Sequence, residues 1–80
     1  MAKTRSFEDL TRIVGIGRDY AGILEAAGIR SIQELAIQDP TDLADLLLEV
    51  NLLKGLVMAV PSEKRVSGWV RQAQGLLIGH

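Results

Sequence analysis

Cysteine is absent from the sequence, proline occurs twice, and Trp, Tyr and Phe occur once each. Without cysteine the chain can form no disulfide, offer no thiolate nucleophile and build no zinc–cysteine site. Long stretches that alternate apolar and polar residues are also missing, and such alternation is the main sign of a half-buried strand. These absences exclude a disulfide scaffold and disfavour a β-sheet protein.

An excess of either charge is missing as well, since nine Lys and Arg oppose ten Asp and Glu for a formal net charge of −1. A dedicated nucleic-acid-binding domain usually carries a clear basic excess, so this balance argues against one. No apolar run approaches the roughly 20 residues that span a bilayer. Residues 1–10 lack the hydrophobic core of a signal peptide. We therefore expect a cytoplasmic protein without a membrane partner.

What is present is a short, rather apolar chain of 80 residues, 48% of them hydrophobic, with a mean hydropathy of +0.19. This composition is too apolar for a disordered tail. A chain of this length buries only about 60–65% of its unfolded surface on folding, so its core is thin. We expect one domain over residues 1–80, with an ordered core over residues 6–77.

Helix signals are frequent, and they predict an all-α, compact bundle of five to six short helices. The predicted helix starts are Ser6 with Asp9, Ser31 with Glu34, Asp39 ahead of Pro40, Arg18, and Ser62. The predicted stops are the glycines of residues 14–17, then Gly28 and Pro61. Apolar residues at helical spacing form the predicted core: Phe7, Leu10, Ile13, Tyr20, Leu24, Ala27, Ile32, Leu35, Leu43, Leu46, Leu47, Val50, Val57, Val66, Trp69, Val70, Ala73, Leu76 and Leu77.

Residues 14–17 read Val-Gly-Ile-Gly between two predicted helices, and this pattern resembles a helix-hairpin-helix. The surrounding sequence is similar to a family of mostly uncharacterised bacterial helix-hairpin-helix domains. The similar stretch begins with VGIGRDYAGILEAAGIRSIQELAIQDPTDLADLL. The matching residues farther along are Pro61, Ser62, Val66 and Trp69. The resemblance covers roughly residues 7–77. It implies a tandem, SAM-like arrangement of two helical hairpins joined by a connector helix, with one glycine hairpin.

Among helix-hairpin-helix proteins generally, the hairpin amides hold a DNA phosphate without reading the base sequence. Amide N–H groups at a helix start are a ready anion site, and phosphate contacts position a protein without specifying a base. The resemblance therefore implies weak, sequence-independent binding of duplex DNA. The residues that would hold phosphate are Arg12, Gly15, Ile16, Gly17, Arg18, Lys64 and Arg65.

Two features of the sequence oppose this hypothesis. Where a tandem pair would repeat its glycines, residues 60–65 read Val-Pro-Ser-Glu-Lys-Arg. Acidic side chains at positions 19, 42, 45 and 49 would repel a phosphate. A Gly-x-Gly run between packed helices is, besides, often only a turn that lets the helices approach closely.

The segment over residues 45–60 carries a second apolar stripe. Leu48, Leu52, Leu56 and Ala59 point away from the core stripe at about 100° per residue. A helix that is apolar all round must be buried all round, and a domain this small has little core to do that. The similar family is polar and basic over the second half of this segment. The exchange of charges for aliphatic residues is also what an engineered interface would look like.

We therefore predict a non-enzymatic protein-interaction module whose partner is another protein or a second copy of this chain. The predicted interface residues are Asp45, Leu48, Leu52, Lys54, Leu56, Met58 and Ala59, with Asp45 and Lys54 at the rim. The alternative is a bend at Asn51 and Gly55 that turns both stripes inward. In that case Leu52 or Leu53 belongs to the core.

The sequence does not fit the catalytic and cofactor-binding motifs that its residues suggest at first. Tyr20 stands where a dinucleotide fingerprint needs its third glycine, and no strand precedes it. Asp42, Asp45 and Glu49 lie near one helix face, a pattern more typical of a solvated acidic surface than of a metal site. We expect no enzymatic activity, cofactor, metal ion or small-molecule substrate, because positioned titrating groups in a concave site are not indicated.

Overall fold

A computed structural model describes residues 8–78, and every regular element within that range is helical. Residues 8–10 are helical at the beginning of the described range. The helices that follow are α1 (Arg18–Ala26), α2 (Ile32–Ala36), α3 (Pro40–Lys54) and α4 (Glu63–Ile78). The all-α prediction is therefore confirmed. The expected cap at Ser6 and the expected core position of Phe7 lie outside the described residues.

Three of the predicted helix starts are confirmed by their capping hydrogen bonds. The Asp39 carboxylate accepts from the N–H groups of Thr41 and Asp42 at 2.9 and 3.2 Å, and Pro40 occupies the first turn, where it costs no hydrogen bond. Ser62 Oγ accepts from the Arg65 N–H at 3.2 Å. These side chains satisfy amides that have no partner inside their own helix.

The capping pair at α2 differs from the predicted box by one residue. Ser31 Oγ accepts from the Glu34 N–H at 3.0 Å, as expected. The Glu34 carboxylate, however, accepts from the N–H of Arg30 at 2.6 Å rather than from that of Ser31. The start of α2 is nevertheless held from both directions.

The first predicted helix ends earlier than expected. Regular helix ends at Leu10, and tight turns then carry the chain, with the Ile13 N–H donating to the Leu10 carbonyl and the Ile16 N–H donating to the Ile13 carbonyl, both at 3.1 Å. These three side chains are all buried and three residues apart. That spacing fits three-residue turns better than an α-helix. Gly15 then reverses the chain at φ +99°.

The core is built on α4, against which α2 and α3 pack, while α1 packs on α3. Its buried members are Leu10, Ile13, Ile16, Ala21, Ile23, Leu24, Ile29, Ile32, Leu35, Ala36, Leu43, Leu47, Val66, Trp69, Val70 and Ala73. Five predicted core residues are only partly buried: Tyr20, Ala27, Leu46, Val50 and Val57. Leu76 and Leu77 were wrongly assigned to the core. They are 42% and 40% exposed, in the last turn of α4.

Helix α3 passes Asn51 without a break and ends at Lys54, where Gly55 closes it at φ +61°. Residues 55–61 then form a loop, so both the unbroken helix to residue 60 and the bend at Asn51 are wrong. The Asn51 side chain instead fixes this loop. Its Oδ1 accepts from the Val57 N–H at 2.9 Å, and its Nδ2 donates to the Val57 carbonyl at 3.0 Å.

Over residues 8–78 the structure contains no helix with both the length and the apolar character needed to cross a bilayer.

Candidate functional site

The end of α3 and the loop after it expose large aliphatic side chains. We call Leu48, Leu52, Leu53, Leu56 and Met58 the leucine surface. Leu52 and Leu53 are 78% and 81% exposed, and Met58 has no contact that shields it. The inward-turned alternative is therefore wrong, because neither Leu52 nor Leu53 lies in the core. Ala59, at the end of this surface, is also exposed.

Helical periodicity explains why these leucines face outward. Leu43 and Leu47 are fully buried and fix which side of α3 meets the core. Leu48 and Leu52 follow Leu47 by one and five residues, which places them about 100–140° around the helix. Leu53, which was not among the predicted interface residues, lies about 100° farther around the helix than Leu52. Its exposure follows from the same arithmetic.

Acidic side chains lie among the exposed leucines of α3. Asp42, Asp45 and Glu49 are exposed on the outer side of this helix, at i, i+3 and i+7. Helical spacing places them between Leu52 and Leu53 around the helix. Lys54 is exposed too, but it follows the buried Leu47 by seven residues and so lies on the inner flank, away from Asp45. Among residues 8–78 no three acidic or histidine side chains are grouped so as to hold a metal ion.

The loop end of the leucine surface, at Met58, meets the glycine turn. An open cleft of about 500 Å³ is lined by Gly15, Gly17, Arg18, Asp19, Tyr20, Val57, Met58 and Ala59. Residues predicted for DNA binding and residues predicted for a protein interface therefore share one cleft. No pattern in the sequence indicates that the turn at residues 14–17 and the loop at residues 55–61 are neighbours.

Tyr20 connects the glycine turn to the loop. Its hydroxyl donates to the Ala59 carbonyl at 3.2 Å and accepts from Arg65 Nη1 at 3.4 Å. The Arg65 guanidinium also lies 5.9 Å from the centre of the Tyr20 ring, within cation–π range. Arg18 thus lines the cleft together with Met58 and Ala59, and Arg65 contacts Tyr20, which lines the same cleft.

The glycine turn is fastened to α4 by one side chain. Gln72 Oε1 accepts from the Val14 N–H at 2.9 Å, and Gln72 Nε2 donates to the Val14 carbonyl at 3.0 Å. Gly15 packs so closely on Trp69 that an added Cβ would lie 3.1 Å from the indole Nε1. These contacts set the position of the turn relative to the core.

The structure divides the predicted phosphate-binding residues. Gly15, Gly17 and Arg18 line one cleft, and Arg65 contacts Tyr20, which lines that cleft too. Arg12 lies apart in an ion pair with Asp9, Nη1 to Oδ1 at 3.5 Å. Ile16 is buried, and its N–H already donates a hydrogen bond to the Ile13 carbonyl.

Lys64 lies on another side of α4 from Arg65, since consecutive helical residues are about 100° apart. It lines a separate open groove of about 720 Å³ together with Asp39, Pro40, Thr41, Glu63, Ser67, Gly68 and Arg71. The Thr41 hydroxyl donates to Glu63 Oε2 across this groove at 2.8 Å. Acidic and basic side chains alternate there, so the groove has no strong charge of one sign.

Comparison with known proteins places the chain in a family. The family model described as a domain of unknown function, DUF4332, matches residues 2–76. No curated protein and no solved structure matches the sequence. Because the matched residues make up nearly the whole of the 80-residue chain, the protein belongs to the DUF4332 family.

Proposed function

We propose that this chain is a non-enzymatic protein-interaction module and that the leucine surface is its contact surface. The observation that carries the proposal is the exposure of five large aliphatic side chains in one short stretch of chain. Burying one such side chain stabilises a complex by about 1.5–3 kcal/mol. Soluble monomers seldom expose apolar patches of this kind unless the patch is used for binding.

The surface is held in place, which favours recognition. Asn51 bonds to both polar groups of the Val57 backbone, and Tyr20 bonds to the Ala59 carbonyl. A loop fixed before binding loses less conformational entropy when a partner covers it. The scaffold we propose for this surface is the helix-hairpin-helix arrangement that the sequence resembles.

Photo-crosslinking tests the proposal directly. A benzophenone amino acid is placed at position 52 and, in a matched control, at position 37. Ile37 is 81% exposed against 78% for Leu52, but it ends α2, which packs on α4 and not beside the leucine surface. We expect discrete crosslinked protein bands from position 52 in cells, and at least about fivefold less from position 37. Equal or absent crosslinking at position 52 would contradict the proposal.

A second candidate function is weak, sequence-independent binding of duplex DNA at the glycine turn. Gly17 begins α1 without a side chain to cap its first-turn amides. Those amides lie beside Arg18, and Arg65 contacts Tyr20, which lines the same cleft. A helix N-terminus next to two guanidinium groups favours a phosphate. Only these few groups converge, so affinity would be low.

The salt dependence of duplex binding tests this second candidate. We expect measurable binding at ~50 mM salt. The logarithm of the binding constant should fall linearly with the logarithm of the salt concentration, and each of about two neutralised phosphates should contribute about −0.9 to that slope. Arg18→Glu should remove about one phosphate contact and therefore make the slope less steep by about 0.9. Arg71→Glu makes the same charge change on the separate groove and should leave the slope unaltered. Absence of duplex binding at ~50 mM salt and high protein concentration would rule the function out.

A further inference from the structure

We infer that the leucine surface receives a basic amphipathic segment of another protein, which carries a row of arginine or lysine side chains between aliphatic ones. The inference rests on the proposed function and names the chemistry of the partner. It is carried by the place of Glu49 on α3, one turn before both Leu52 and Leu53.

The exposed leucines of α3 form two rows on its outer face. At about 100° per residue from the buried Leu43, Leu48 and Leu52 lie at about 140–180°, and Leu53 lies at about 280°. The positions between these two rows, at about 200–260°, are all acidic and exposed. We call them the acidic row, which consists of Asp42, Asp45 and Glu49.

A partner that covers Leu52 and Leu53 together also covers Glu49. Glu49 precedes Leu52 by three residues and Leu53 by four. Helical side chains at these spacings are surface neighbours, with their Cβ atoms about 5–6 Å apart. Asp45 stands in the same relation to Leu48 and to Glu49 itself. Contact with the leucines of α3 therefore removes water from the acidic row as well.

The acidic row has no counter-charge of its own within the described part of the chain. Over residues 8–78 the recorded salt bridge joins Arg12 to Asp9, and no hydrogen bond reaches the carboxylates of the acidic row. Lys54 is the one basic residue of α3, and it lies at about 20°, on the inner flank. Because an ionised carboxylate that loses water without gaining a partner is costly, the covering surface has to bring the positive charge.

This arrangement of charge selects among the possible occupants. A second copy that docked through the same face would set one acidic row against another, and a nucleic acid or an anionic membrane would be repelled. A purely aliphatic partner would leave three carboxylates unpaired. Arginine and lysine fit both parts of the face, because their aliphatic stems pack on leucine while their charged ends reach the carboxylates.

Binding of three matched synthetic helices to the full chain tests the inference. Each helix has about 20 residues, with leucine on both sides of a central row at i, i+4, i+7 and i+11. The central row is arginine in the first helix, glutamine in the second and glutamate in the third. By isothermal titration at ~50 mM salt, the arginine helix should bind at least about fivefold more tightly than the glutamine helix, and the glutamate helix most weakly. Salt of ~500 mM should reduce the difference between arginine and glutamine.

Variants of the chain assign that preference to the acidic row. Glu49→Lys should reduce the preference for arginine over glutamine at least about threefold. Glu8→Lys is the matched control, because it makes the same charge change at an exposed position beside Asp9, whose carboxylate accepts from the Ile32 N–H at the start of α2. It should leave the preference unchanged. Leu52→Ala should weaken binding of the arginine helix at least about threefold, since it removes apolar contact. Far-UV circular dichroism checks that each variant is folded.

The possible failures separate the inference from the proposed function. Equal binding of the arginine and glutamine helices, or a preference that Glu49→Lys does not reduce, overturns the basic partner and leaves the interaction module standing. Unaltered binding to Leu52→Ala overturns it too, because the helices would then bind elsewhere. If none of the three helices binds at about 1 mM, the inference also fails, and crosslinking at position 52 decides the proposed function separately.

Discussion

Trp69→Ala is expected to remove a large part of the chain's stability at 25 °C. Trp69 is the largest of the fully buried side chains, at 2% exposure. Its ring lies 5.3 Å from that of Tyr20, and its indole nitrogen lies under Gly15. Truncating a buried Trp costs about 3–5 kcal/mol. A chain of this length has a total stability of only about 4–12 kcal/mol, since each residue contributes about 0.05–0.15 kcal/mol.

Urea denaturation followed by far-UV circular dichroism measures this loss. Trp69→Phe is the matched control, because it keeps an aromatic ring beside Tyr20 and should cost clearly less than the alanine variant. We also expect the hydrogen bond from the Tyr20 hydroxyl to the Ala59 carbonyl to weaken in Trp69→Ala. If Trp69→Ala unfolds within about 1 kcal/mol of the wild type, the packing of α4 against the glycine turn is not as described.

The second large effect is expected at Gly15. Its φ of +99° is a conformation that side chains rarely adopt, and a Cβ there would meet Trp69 Nε1 at 3.1 Å. Backbone strain of this kind costs about 1–3 kcal/mol. Because the neighbour is a buried indole rather than the end of a flexible side chain, the contact adds to the strain. Gly15→Ala should therefore lower the free energy of unfolding by about 2–4 kcal/mol.

Two other glycines separate the causes of that loss. Gly28 has φ +94° but nothing within 4 Å of an added Cβ, so Gly28→Ala should show the cost of the backbone conformation alone. Gly17 has φ −93° and equally open space, so Gly17→Ala should change stability by less than about 1 kcal/mol. Thermal unfolding of the three variants gives the order Gly15, Gly28, Gly17. An equal loss at Gly15 and Gly28 would mean that the contact with Trp69 is harmless.

The sequence predicted the helix starts and most of the core, because both depend on local chemistry. The caps at Ser31, Asp39 and Ser62 involve only residues two or three positions away, so the local sequence is enough to predict them. The outward direction of Leu48 and Leu52 also followed from spacing alone. Positions near a helix end were harder. Leu76 and Leu77 continue the apolar stripe of α4 and are nevertheless exposed, because spacing alone does not show which part of a helix the rest of the fold covers.

Long-range neighbours could not be predicted from the sequence. Tyr20 and Ala59 are 39 residues apart along the chain, and no spacing rule brings their polar groups together. The segment after Lys54 was predicted as helix because its aliphatic residues keep helical spacing. Gly55 in a left-handed conformation and the Asn51 side chain decided otherwise. Lys64 and Arg65 appeared as one basic pair, although the helix directs them to different grooves.

The double hydrogen bond from Asn51 to Val57 closes a short hydrogen-bonded ring around residues 52–56. Three members of the leucine surface, Leu52, Leu53 and Leu56, lie inside that ring and outside the buried core. Their identity is therefore free to vary while the ring keeps its shape. Randomising positions 52, 53 and 56 with Asn51 and Gly55 retained would give a library of folded variants that differ in what they bind. In this sense the chain is a small display framework, with its variable segment already anchored at both ends.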